Sequence, residues 1–160
     1  MELNFCTNDP HEANRYFKAK ARFSTGPGEV NYALEHGRRV GVDFTIIDVR
    51  HAEDFAKGHI PGAVNLPEGK WESFAGLAKD KQNLIYCYSP ECHLAARAAV
   101  DFTDAGFSVM EIDGGFQAWS EDYELDVEVS PSSTPLVGLA RADGPPKNEN
   151  DGRFSVESLL

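Results

Sequence analysis

Two short runs constrain this chain more than any other feature. Phe44-Thr45-Ile46-Ile47-Asp48-Val49 and Asn83-Leu84-Ile85-Tyr86-Cys87 are nearly all apolar and rich in β-branched or aromatic residues. Neither alternates polar with apolar, so neither suits a strand with one wet face. Runs of this length and texture fit central parallel strands buried on both sides. Parallel neighbours need long crossovers, usually helical. The chain supplies them: helical segments are expected at 52–57, ended by Gly58, at 71–78, and at 93–105, where Leu94, Ala95, Ala98, Ala99 and Phe102 share a face and Gly106 follows. Residues 63–66, closed by Pro67, and 107–112 read as further strands, and Gly114-Gly115 turns the chain into a helical stretch at 116–119. Strands alternating with helices at this spacing imply an α/β fold with helices on both faces of a parallel sheet.

The flanks differ from this centre. Residues 10–36 read as helical, broken at Thr25-Gly26-Pro27-Gly28 and restarting with Val30, Ala33 and Leu34 apolar before the stop at Gly37. Residues 130–160 open with Ser130-Pro131-Ser132-Ser133-Thr134-Pro135, a composition that cannot bury enough apolar area to offset the entropy of ordering. The expected division is an N-terminal helical arm (1–24), one α/β domain (25–129) and a disordered or loosely docked tail (130–160). The arm is also the candidate surface for a homodimer.

With 160 residues, a net charge of −11 and a pI near 4.8, the chain repels phosphate, which argues against nucleic-acid or anionic-membrane partners. No apolar run approaches the roughly 20 residues of a membrane span. The first residues, Met1 to Cys6, lack a basic segment followed by an apolar one, so a secretory leader is not expected. Three cysteines are too few and too odd in number for a disulfide framework, which points to a reducing, cytoplasmic setting.

Cys87 is the residue with chemistry to explain. It ends a buried strand, and a short loop then leads into a helix. Ligands of open α/β sheets bind at the carboxyl ends of strands. A helix N-terminus offers free N–H groups and a positive dipole end, which favour a thiolate and hold anions. The bland alternative is a cysteine that packs as a small hydrophobe.

Residues 47–63, Ile-Asp-Val-Arg-His-Ala-Glu-Asp-Phe-Ala-Lys-Gly-His-Ile-Pro-Gly-Ala, resemble the first hallmark of the rhodanese-like family. Tyr86-Cys87 with its loop resembles that family's active-site loop, and Gly114-Gly115-Phe116-Gln117-Ala118-Trp119 its last hallmark. The resemblance spans roughly residues 25–125 in the right order. It implies a three-layer domain with a central parallel sheet of about five strands, and a sulfurtransferase in which Cys87 takes sulfane sulfur as a persulfide. A small donor (thiosulfate, or a thiol or protein persulfide) supplies the sulfur to a thiophilic acceptor or thiol protein, and no cofactor or metal is implied. Tyr88, Ser89, Glu91, Cys92 and His93 form the expected substrate-binding loop, with Asp48 and Arg50 as supporting residues at its rim. Arg50 is expected to pair with Glu53. His59 reads as a turn residue, Trp119 as core, and Gly62, Gly114 and Gly115 as positions that a side chain would block.

The loop departs from the family pattern. Cys92 stands where many active members carry arginine, Pro90 removes an amide donor, and Glu91 adds negative charge. Dianionic thiosulfate is therefore expected to be a poor donor beside a thiol or protein persulfide. The fold's phosphatase relatives need an arginine that this loop lacks. The departures also keep open a binding or regulatory module without turnover, and a Cys87/Cys92 redox switch in which Cys92 resolves an oxidised Cys87. Cys87, Cys92 and His93 do not match a recognised zinc spacing. No Gly-x-Ser-x-Gly elbow accompanies Ser89. Cys6 has no partner motif.

Overall fold

The computed structural model describes residues 9–130. Cys6 and the tail beyond 130 lie outside them. The chain runs α1 (Pro10–Phe23), β1 (Ser24–Thr25), α2 (Pro27–Glu35), β2 (Phe44–Asp48), α3 (Ala52–Lys57), β3 (Val64–Asn65), a single 3₁₀ turn (Trp71–Ser73), β4 (Gln82–Tyr86), α4 (Leu94–Asp104), β5 (Val109–Ile112) and α5 (Gly115–Gln117), which continues as a wider turn through Asp122. The five strands form one sheet in the order β1-β5-β4-β2-β3, every pair parallel.

Strand parity sorts the interior into two layers, because successive side chains point to opposite faces. Ile46, Leu84, Tyr86 and Ile112 pack with Val30 of α2 and with Ile60 and Trp119. Ile47, Val49, Ile85, Cys87 and Val109 pack with Ala95, Ala98 and Phe102 of α4. The central strands β2 and β4 are buried on both faces, as their unbroken apolar runs require.

Two expectations need correction. Residues 71–78 do not form a helix. Phe74 sits in the left-handed region (φ 50°), and Gly76 follows at φ 81°, where an added Cβ would lie 2.8 Å from Val64 Cβ. What holds this segment is Asn83: its Oδ1 accepts from Thr45 Oγ1 and the Ala78 N–H, while its Nδ2 donates to the carbonyls of Ala78, Lys81 and Ser108. The second correction is at the sheet's edge. Ser24 and Thr25, read as the end of a helix and a break, form β1 and pair with Glu111 and Ile112. Strand β1 therefore ties α1 directly to the sheet beside the carboxyl end of β5.

Candidate active site

Cys87 follows β4 immediately and is 2% exposed. Its parity places it on the α4 face. Register then brings in a residue that motif reading missed: Ile85 pairs with Glu111, so Glu111 lies on the same face, one strand over and near Cys87. A cavity of about 530 Å³ opens there. Its walls are Cys87, Ser89, Pro90, Cys92 and His93 from the loop, Glu111, Asp113, Gly114 and Gly115 from the end of β5, Ala96 of α4, and Tyr16, Ala19, Lys20, Phe23 and Ser24 from the N-terminal arm. The signal for Glu111 was a charged residue inside an apolar strand. Nothing local in α1 announced that it would wall a cavity.

The loop is held by its backbone. Phe116 N–H donates to Cys87 O and Gln117 N–H to Tyr88 O, both at 2.9 Å. Gly115 makes this docking possible: a Cβ there would stand 2.7 Å from Cys87 O and 2.9 Å from Ser89 N, and its φ is +63°. Cys92 N–H closes the turn onto Ser89 O. Ser89 Oγ donates to the exposed Glu91 carboxylate at 3.1 Å.

The expected loop residues divide. Cys87, Ser89, Cys92 and His93 share the cavity. Tyr88 turns away, donating to Asp54 Oδ2 at 2.8 Å and accepting from His51 N–H at 3.0 Å. Glu91, Asp48 and Arg50 do not line the cavity. Arg50 pairs not with Glu53 but with the fully buried Asp48, its Nη2 2.6 Å from Oδ2. The same Nη2 donates to Gly58 O, and the guanidinium lies 3.9 Å from the Phe116 ring centroid. Burial opposes the charged form of Arg50, but the Asp48 carboxylate outweighs it and raises the pKa. This pair braces the segment that carries Gly115 and Phe116. His59 is a packed turn residue, stacked on Phe55 with Nδ1 2.8 Å from Phe55 O.

The two thiols interact. Cys87 Sγ donates to Cys92 O at 3.2 Å, and the two thiols shift each other's titration. Burial, then the bond to Cys92, pushes the Cys87 thiol up to about 11, against a helix-end N–H from Ala95 that favours its thiolate. The expected lowering by the helix end is thus outweighed. Cys92 is half-buried. Burial raises its pKa, but the bond from Cys87 and the N–H groups of Leu94 and Tyr88 bring it below the ordinary thiol range. Coupled groups of this kind release protons as a pair. Glu111 is raised by burial and by Asp113, with Lys20 and His93 opposing. Lys20 pairs with Asp113 at 3.6 Å, and no arginine lines the cavity among the described residues. No group of three or more His, Cys, Asp or Glu among the described residues is arranged to hold a metal ion.

Known proteins resemble this chain in sequence and fold. Over 108 residues the chain is 33% identical to thiosulfate sulfurtransferase GlpE of Stutzerimonas stutzeri, covering 66% of this chain and 93% of that protein. It is 36% identical over 83 residues to the HTH-type transcriptional regulator Rv0324 of Mycobacterium tuberculosis, covering 51% of this chain and only 37% of that relative's length. The crystal structure of the BH2092 protein from Bacillus halodurans matches with a TM-score of 0.64 at 31% identity, over 76% of this chain and 88% of that one. The model of the Rhodanese-like domain family matches residues 28–122. By that match, and by its parallel five-stranded sheet with the loop cysteine after β4, the chain belongs to the rhodanese-like domain family.

Proposed function

We propose that the protein is a sulfurtransferase that carries sulfane sulfur as a persulfide on Cys87. The observation that carries this reading is the placement of Cys87 in the wall of a cavity that also holds a second thiol, at the N-terminus of α4. Similarity to a protein named thiosulfate sulfurtransferase supports the reaction class. The Cys87 sulfur attacks the outer sulfur of the donor, the donor's S–S bond breaks, and the leaving group departs with the electron pair. The proton of Cys87 leaves with the departing group, so Cys92 is not protonated by the step. A thiophilic acceptor then takes the outer sulfur.

Charge narrows the donor. Glu111 and Asp113 face one lysine, itself paired with Asp113. A thiol persulfide carries less negative charge than dianionic thiosulfate and suits these walls better. Free thiols at Cys87 and Cys92 fit a reducing compartment such as the cytoplasm. Among the described residues no helix is long and apolar enough to cross a membrane.

The test is consumption of a low-molecular-weight thiol persulfide with cyanide as acceptor, following sulfur released as thiocyanate or hydrosulfide. Cys87→Ser is expected to fall to the protein-free rate, and a rate equal to wild type overturns the assignment. The 2% exposure of Cys87 favours one competitor, a binding module without turnover. That reading requires wild type to be inert toward both thiosulfate and thiol persulfides.

A further inference from the structure

Resting on the persulfide reading, we propose that Cys92 is a resolving thiol: its sulfur attacks Cys87 Sγ of the persulfide, releasing hydrosulfide and closing a Cys87–Cys92 disulfide. The domain then reduces sulfane sulfur to sulfide instead of only relaying it.

The geometry leads there. Cys87 belongs to the buried cluster that contains Ile47, Val49, Leu66, Ile85, Ala95 and Ala98. Its open side is the cavity, and Cys92 lines the same cavity, half-buried, with its carbonyl oxygen 3.2 Å from Cys87 Sγ. A sulfur added to Cys87 therefore emerges beside Cys92, and an external acceptor must pass the same residue. A nucleophile already held against its target has the advantage of high effective molarity over one that diffuses in. Burial disfavours the Cys92 thiolate, but the Cys87 side chain and the nearby N–H groups of Leu94 and Tyr88 outweigh it and favour the form that attacks. The arginine that would bind an anionic donor is absent from this position, and a second nucleophile occupies it.

The step balances. The Cys92 thiolate forms the new S–S bond to Cys87 Sγ, the bond from Sγ to the outer sulfur breaks, and its electron pair leaves with hydrosulfide. The outer sulfur is reduced, and the two cysteine sulfurs are oxidised to the disulfide. Charge is conserved, since one thiolate is consumed and one hydrosulfide appears. Two equivalents of an external thiol, or one dithiol, reduce the disulfide and restore both cysteines.

The experiment is anaerobic treatment of the full chain with one equivalent of a low-molecular-weight thiol persulfide. The reaction is quenched in acid and read by intact mass and by hydrosulfide, with Cys87→Ser as the background for donor decay. Wild type is expected to lose two hydrogens and release about one hydrosulfide per chain. Cys92→Ser and Cys92→Ala are expected to keep one added sulfur, removable by cyanide, with hydrosulfide release down at least about tenfold. If wild type instead retains the added sulfur as the variants do, resolution by Cys92 is overturned while the persulfide on Cys87 stands. Loss of two hydrogens without hydrosulfide also overturns it, as simple thiol oxidation. No mass change in wild type or either Cys92 variant brings down the persulfide reading and this one with it.

Discussion

Cys87 and Cys92 differ because the same loop buries one residue and leaves the other half-buried. The raised pKa of Cys87 means that its thiolate is scarce at neutral pH. Iodoacetamide at pH 7 is therefore expected to label Cys92 first, with Cys87 labelling rising roughly tenfold per pH unit until the pH nears 11, as peptide mapping would show. The sign for stability follows: a thiol that holds its proton more tightly in the fold stabilises it at neutral pH, and that contribution is lost as pH rises through the thiol range toward about 11. Asp48 and Arg50 are a different case, a buried ion pair that does not line the cavity. Arg50→Met leaves the Asp48 carboxylate buried without its charge partner, and a destabilisation of about 3–5 kcal/mol is expected in urea titrations. Asp48 and Arg50 were visible in the sequence as a motif. Their mutual pairing was not: Glu53 was the expected partner, and Asp48, Glu53 and Asp54 all lie within four residues of Arg50.

Elements were legible in proportion to how much of their stabilisation is local or patterned. Strands β2 and β4 and helix α4 follow from their apolar patterns within a residue or so. Segment 71–78 does not, since its hydrophobic residues look helical and the deciding interactions come from Asn83 and from the tight approach of Gly76 to Val64. Asn83→Leu removes the partner of several buried backbone groups, and a cost of about 1–3 kcal/mol is expected, read by thermal or denaturant unfolding. The contact between α5 and the loop after β4 depends on Gly115. Gly115→Ala is expected to destabilise by at least about 1 kcal/mol, because its φ is +63° and the methyl would meet the loop backbone. Sulfur transfer should fall further than the folded fraction does, since the displaced residues carry Cys87.

Across the whole molecule, the arm is the loosest part of the cavity wall. Helix α1 buries none of its residues, and Tyr16, Phe17 and Phe23 are each more than half exposed. What ties it down is β1 and the exposed Lys20–Asp113 pair, a contact type worth about 0–1 kcal/mol and screened by salt. Amides of α1 are therefore expected to exchange with deuterium far faster than those of β4, and faster still at high salt, as hydrogen-exchange mass spectrometry would show. Equal protection of the two elements would contradict this.

The sequence by itself determined the α/β class, the parallel sheet, its two central strands and the cysteine at its carboxyl end. These follow from apolar runs, helical periodicity and local motifs. Only the tertiary structure decided which groups stand around that cysteine. The register of β5 against β4 delivers Glu111, and the edge strand β1 swings the arm across the opening. The fold also sets how deeply each thiol is buried. Burial and strand register arise from contacts between residues far apart in the chain, so no window of sequence contains them.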